Sequence, residues 1–329
     1  MMPRKTMQQR MAVVVVAGMI WLPGAPAAYA QAYPVKPVRI ICSWPPGGSN
    51  DVVARVLAQR LTETLGQTFV VENRAGATGT IGSDIVAKSP PDGYTVLVNS
   101  ATHVANPHIY KKLPYDTMKD FTGILPLAQQ IGILVVHPSL PAHSVKEFIA
   151  LGKAKPNQIA WASTGTGSYT WLTMALLLQM TGTKMLEVNY KGGGPATIAL
   201  SAGEVQAFFV GTGSLTSALP AGRVRALAVA SAHRLKQFPD IPTIAETVPG
   251  YEMTAWIGSF VPSGTPRAIV EFLNAEFRKA LDSPEATKIL GSQALDPMPM
   301  TVDEFAQRLK KDYDKYEKLI KASGAAQIQ

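Results

Sequence analysis

Four short glycine-rich stretches carry most of the chemistry this sequence offers. They are Pro45-Pro46-Gly47-Gly48-Ser49-Asn50, Ala75-Gly76-Ala77-Thr78-Gly79, Thr164-Gly165-Thr166-Gly167-Ser168 and Lys191-Gly192-Gly193-Gly194-Pro195. Each lies between a short apolar run and a helical pattern. Glycine lets backbone N–H groups approach a ligand closely, and the unpaired N–H groups of a helix's first turn attract anions. Each stretch therefore reads as a cradle for a carboxylate or a phosphate. None fits a nucleotide motif: Gly76, Gly79 and Gly82 lack the dinucleotide spacing, as do Gly165 and Gly167, and no loop ends in Gly-Lys-Ser/Thr. No cofactor is expected.

Other reactive side chains form no constellation. Ser43, Ser100, Ser163 and Ser168 lack a Gly-x-Ser-x-Gly elbow, and the five histidines show no metal-ligand spacing. A secreted hydrolase is the weaker reading, and no metal site is expected. The lone Cys42 sits in an apolar strand pattern and reads as a small hydrophobe. Asp51 follows the first loop; it reads either as a carboxylate held at a helix start or as a ligand contact. Trp44 and Trp171 flank loops one and three, either as core aromatics or as cleft walls.

The elements that must hold these loops come in two similar series. Val38 to Trp44 reads as a strand, Val52 to Leu65 as a helical stripe, Thr68 to Glu72 as a strand, Ile81 to Val86 as a helix and Thr95 to Asn99 as a strand. The order recurs with strand Ile159 to Ser163, stripe Leu172 to Met180, strand Leu186 to Tyr190 and a short helix Ala196 to Leu200. Strands Val205 to Val210 and Ala226 to Ala230 follow. Alternation of this kind implies an α/β protein with parallel sheets flanked by helices, in two domains. Phe121 to Val136 is apolar and uncharged, and Tyr251 to Val261 is similar; these read as the crossings between domains. Pro266 to Leu281 and Val302 to Ala322 read as closing helices, the second with Thr301 and Glu304 spaced as a capping box.

Length and charge bound the rest. The 329 residues suffice for two domains, and 47% hydrophobic content excludes a largely disordered chain. Arg4, Lys5 and Arg10, the apolar run Met11 to Leu22 and Ala28-Tyr29-Ala30 follow the order of a secretory signal peptide over residues 1–30. Its cleavage takes three of the eight net positive charges with it. What remains is scattered and forms no basic stripe, so nucleic acid is not an expected partner.

Longer motifs carry a family resemblance. They include Tyr33-Pro34-x-Lys36-Pro37, Pro45-Pro46-Gly47-Gly48-x-x-Asp51-x-x-Ala54-Arg55 and Val71-Glu72-Asn73-Arg74-x-Gly76-Ala77-x-Gly79-x-Ile81-Gly82. Pro91-Asp92-Gly93-Tyr94-Thr95, Pro114-Tyr115-Asp116, Tyr190-Lys191-Gly192 and Pro242-Thr243-Ile244-Ala245-Glu246 continue them. With these motifs the chain resembles the Bug family of periplasmic solute-binding receptors, the TctC-like components of tripartite tricarboxylate transporters.

The resemblance implies a two-domain periplasmic binding protein of type II, a Venus flytrap. Domain 1 would comprise residues 31–130 with 254–329, and domain 2 residues 131–253. A small organic acid (di-, tri- or aromatic carboxylate) would be held in the cleft by loop amides, hydroxyls and waters. Delivery would be to the transporter's membrane subunits, in the periplasm; a sensor-kinase ectodomain is the alternative partner. The implied ligand-binding set is Trp44, Pro46, Gly47, Gly48, Ser49 and Asp51; Ala75, Gly76, Ala77, Thr78 and Gly79; Ser100 and Thr102; Ser163, Thr164, Gly165, Gly167, Ser168 and Trp171; and Tyr190, Gly192, Gly193, Gly211 and Thr212. Two departures from the family pattern fall in this set. Tyr169-Thr170-Trp171 stands where relatives have small polar residues and a His, and Gly211-Thr212 where they often carry Asp or Asn. Both suggest a ligand with an aromatic or apolar part.

Overall fold

The computed structural model describes residues 33–211, 222–293 and 295–323. The signal-peptide reading and Thr212 lie outside the described residues. The first βαβ series is built from β1 (Val38–Cys42), α1 (Ser49–Leu65), β2 (Phe69–Asn73), α2 (Thr80–Ala87) and β3 (Thr95–Ser100). A short helix α3 (Thr102–Ile109) and the long strand β4 (Phe121–Val136) follow. The second series is α4 (Val145–Ala154), β5 (Ala160–Ser163), α5 (Tyr169–Thr181), β6 (Leu186–Asn189), α6 (Gly193–Ser201), β7 (Ala207–Gly211) and β8 (Arg225–Val229). Strand β9 (Thr254–Pro262) and helices α7 (Arg267–Leu281), α8 (Pro284–Ser292) and α9 (Val302–Ser323) close the chain.

The strands form one sheet in the order β2-β1-β3-β9-β4-β7-β5-β6, with β8 also on β4. The expected parallel pairing holds within β2-β1-β3 and β6-β5-β7, where helices supply the crossovers. The sheet as a whole is mixed, because β9 and β4 add antiparallel pairs to β3 and β7. Strand β4 serves both halves: Phe121 to Ile131 pair with β9, Gly132 to Val136 with β7, and Ile133 to Val136 with β8. Its sequence explains this: without a charge, it stays buried along most of its length. The register slips near Pro126, a residue with no N–H for the ladder.

The junction on β4 is pinned by buried phenols. Tyr169 Oη accepts from Gly132 N at 2.7 Å and donates to Met253 O at 2.9 Å. Tyr251 Oη donates to Thr173 O at 2.8 Å. Burial holds both phenols far above their ordinary pKa, so they remain neutral donors. Helix α9 packs its apolar stripe on β4 and α3, and Asp312 takes bonds from the buried Trp256 indole (2.8 Å) and from Arg308 (2.6 Å). Cys42 is fully buried, and burial pushes its thiol up to about 12; it packs as the apolar strand pattern predicts. Among the described residues no helix is long and apolar enough to cross a membrane.

Candidate functional site

All four glycine loops lie at the carboxyl ends of β1, β2, β5 and β6, and they converge on one cleft. The cleft has two chambers, of about 300 Å³ and about 770 Å³. Trp44, Pro45, Thr164 and Gly192 line both and form the waist between them. The loops of the two halves meet there: a Cβ on Gly192 would lie 3.4 Å from Pro45 Cγ. Likewise, a Cβ on Gly165 would lie 3.5 Å from Thr78 Oγ1, and one on Gly211 3.3 Å from Ser49 Oγ. A separate hollow of about 600 Å³ near Val224 and Phe238 shares no lining residue with the cleft and contains none of the four loops.

The smaller chamber lies between two helix starts. Gly47, Gly48, Ser49 and Asn50 approach it from α1, and Gly192 to Pro195 from α6. The N-cap residues are Gly48 and Gly192, and neither helix start has a side-chain cap. Among the described residues, the first-turn N–H groups of Ser49, Asn50, Gly193 and Gly194 have no side-chain acceptor, and they present partial positive charge. Ser100, Thr164, Gly211 and Pro46 also line it. Gln130, Tyr169, Thr170 and Phe208 complete the wall, as residues that sequence reasoning missed. Among the described residues, the amide oxygens of Asn50 and Gln130 are buried with no partner. Both residues line the smaller chamber, and a buried amide without a partner retains unmet hydrogen-bonding capacity there. Gln129-Gln130 was the readable signal for this wall, as the polar pair inside an otherwise apolar strand.

Asp51 shapes the first loop from beneath. Its carboxylate accepts from Gly47 N (3.0 Å), Arg55 Nε (2.9 Å) and Asn73 Nδ2 (2.8 Å). Burial pushes this carboxyl up, but the bonds from Arg55, Gly47 and Asn73 outweigh that and hold it below the usual carboxylate range. It lines neither chamber, which favours the helix-start reading over ligand contact.

The larger chamber is bounded by loop two (Ala75 to Gly79), Thr164 to Thr166, and Asn189 to Gly192, with Trp44 and Tyr110. Loop two is held in an unusual shape: Ala77 (φ 45°) and Thr78 (φ 55°) are both left-handed without being glycine. Thr78 Oγ1 bonds Tyr110 Oη at 3.1 Å, and Asn106 Nδ2 donates to Thr78 O at 3.1 Å. The Trp44 indole donates to Asn99 Oδ1 at 2.9 Å, which fixes its plane. Tyr110 follows α3, a helix that the sequence did not announce because Pro107 interrupts its pattern.

Several expected contacts lie outside both chambers. Trp171 is buried, its indole donating to Glu187 Oε2 at 2.9 Å, while Ser163 Oγ donates to Glu187 Oε1 at 2.6 Å. Ser168 is consumed as the N-cap of α5, accepting from Trp171 N at 3.3 Å. Thr102 is buried and bonded to Ser100 Oγ. Gly167 is a contact between halves: a Cβ there would sit 1.7 Å from Ile109 Cδ1. Local partners or packing hold these five residues, Trp171, Ser163, Ser168, Thr102 and Gly167, outside the lining of both chambers.

Residues 53–325 match the family described as "Tripartite tricarboxylate transporter family receptor". The protein BugT of Bordetella pertussis is 34% identical over 299 residues, covering 90% of this chain and 92% of that protein. The structure of Rpa4515 from R. palustris with adipate superposes with a TM-score of 0.86 at 33% identity, covering 90% of this chain and all of that one. MatC from Rhodopseudomonas palustris with bound malate gives 0.82 at 31% identity, with coverage of 88% and 100%. With its matched span, fold and cleft taken together, the chain belongs to the tripartite tricarboxylate transporter receptor family.

Proposed function

We infer that this protein is a periplasmic receptor that captures a small organic carboxylate and delivers it to the membrane subunits of a tripartite tricarboxylate-type transporter. One observation carries the reading. Two glycine-started, uncapped helices enter a single chamber of about 300 Å³ from opposite halves of the molecule. A carboxylate placed between them takes hydrogen bonds from both halves at once. Each charge-assisted bond contributes about 1.5–3 kcal/mol, so a few of them with apolar contact reach about −8 kcal/mol, or micromolar affinity. The relatives solved with adipate and malate support the ligand class.

Binding to both halves favours the shut cleft only by the ligand's differential affinity for that state. The moving bodies in this reading are residues 31–130 with 254–329 on one side and 131–253 on the other, hinged on β4 and β9. Export follows from the signal-peptide pattern of residues 1–30. A thermal-shift screen over mono-, di-, tri- and aromatic carboxylates tests the reading. The true ligand at a hundredfold excess over Kd stabilises by about 2.7 kcal/mol. A screen in which no carboxylate raises Tm sinks the proposal.

A further inference from the structure

The two chambers differ in chemistry. The smaller is rimmed by helix-start N–H groups and side-chain amides. The larger is walled by three half-buried rings, Trp44, Tyr110 and Tyr190. Among the described residues lining the cleft, Lys191 is the one charged side chain, and it is exposed. A second carboxylate entering the larger chamber would meet that lone ammonium and no arginine fork. A flat hydrocarbon body would meet these three aromatic side chains.

Two of the rings are set in advance. Trp44 is fixed by its bond to Asn99 (2.9 Å), and Tyr110 by its bond to Thr78 (3.1 Å). The second bond is made from a left-handed backbone at Ala77 and Thr78, a conformation that disfavours side-chain-bearing residues. Asn106 holds that backbone from the same helix end that delivers Tyr110. Rings already ordered in the free protein lose little freedom on binding, so their stacking adds to affinity instead of offsetting an ordering cost. The Thr78–Tyr110 pair also shares one hydrogen between two hydroxyls. One O–H therefore remains to donate, with lone pairs to accept.

The geometry points to an aromatic carboxylate as the ligand. Its acid group lies between the α1 and α6 starts, its ring stands among Trp44, Tyr110 and Tyr190, and a ring hydroxyl faces the Thr78–Tyr110 pair. The assignment rests on the carboxylate-receptor reading and narrows it to one ligand class. Of the two tryptophans that the sequence offered as core aromatics or cleft walls, Trp44 lines the cleft, and Tyr110 joins it there where Trp171 does not.

Equilibrium binding of the purified chain to 4-hydroxybenzoate, cyclohexanecarboxylate, adipate and malate tests this. The aromatic acid should bind at least about tenfold tighter than cyclohexanecarboxylate, which matches it in size but offers no flat face. It should also bind tighter than malate and adipate. Tyr110→Ala should reduce the ratio of 4-hydroxybenzoate to adipate affinity by about tenfold, whereas Tyr110→Phe keeps most of it. If Tyr110→Ala does not fold, the wild-type ratios decide. Tighter binding of malate or adipate than of 4-hydroxybenzoate overturns the ring assignment and leaves the receptor reading standing. So does a response in the broad screen to another carboxylate but to none of these four. No response to any carboxylate removes both.

Discussion

Helix starts in this protein are finished in two ways. Away from the cleft, α4, α8 and α9 begin at Ser144, Ser283 and Thr301, whose hydroxyls accept from the first-turn N–H groups of Glu147, Ala286 and Glu304 at 3.2–3.3 Å. At the smaller chamber, α1 and α6 begin at Gly48 and Gly192 with no side-chain cap. A hydroxyl cap contributes about 1 kcal/mol of stability. Helices α2, α3 and α7 also begin without one, at Gly79, Ala101 and Pro266, but among the described helices only α1 and α6 bring uncapped starts to the smaller chamber. In the proposed receptor reading, the same kind of backbone group serves stability in one region and recognition in the other.

The strongest way to break this contrast is to cap a cleft helix. Gly48 has an extended backbone (φ −84°, ψ 169°), and a Cβ there meets Pro45 O at an ordinary 3.8 Å. Gly48→Asp should therefore fold normally, with Tm unchanged or slightly raised. Its carboxylate would occupy the N–H groups and repel an acid, so Kd should rise about a hundredfold, near 2.7 kcal/mol. Calorimetry and a melting curve read the two effects separately. Equal affinity for wild type and variant would end the recognition role of the α1 start.

Acidification sharpens the contrast next. His103, in α3, is fully buried among Tyr115, Phe121 and Phe260, beside Ser83 Oγ, and burial pushes its pKa down to about 3. Tyr115 stays neutral, its phenol pushed up to about 12. A folded pKa below the unfolded value of about 6.5 means the unfolded chain binds the extra proton. Stability from this group is complete above pH 6.5 and declines as pH falls toward 3, with about 2 kcal/mol lost by pH 5. Denaturant melts at pH 7 and pH 5 measure it. Helix-start N–H groups do not titrate, and the bonds from Arg55, Gly47 and Asn73 hold Asp51 below the usual carboxylate range. Ligand affinity should therefore stay nearly flat over the same interval. Parallel loss of affinity and stability would mean a titrating side chain contributes to recognition.

The smallest effect belongs to the capped helices. Thr301→Ala removes the hydroxyl that accepts from Glu304 N and should cost about 1 kcal/mol in Tm or denaturant midpoint. Kd should not change, since the residue lines neither chamber.

The recognition end of this contrast was legible in the sequence, because glycine before a helical stripe is a local signal. Gly47, Gly48, Gly76, Gly192 and Gly193 all reach the cleft as read. So was the long uncharged strand that joins the halves. What depended on distant partners was not legible. Trp171 and Ser163 are drawn off by Glu187, which is close only once β5 and β6 pair. Tyr110 enters the cleft through a helix containing Pro107 and is fixed by Thr78, 32 residues earlier. Neither pairing leaves a periodic trace along the chain.

Tyr169 has a practical consequence for anyone who wishes to retarget this receptor. Its phenol floors the smaller chamber while joining β4 to the segment that leads into β9. Altering it to suit a new cargo would disturb the joint on which the halves are assembled, so gains in fit would be confounded by loss of mechanical integrity. Tyr110, Tyr190 and Lys191 line the other chamber alone, and the side-chain hydrogen bonds of Tyr169 do not involve them. Directed evolution of new cargo preferences should therefore randomise those walls and leave the floor alone.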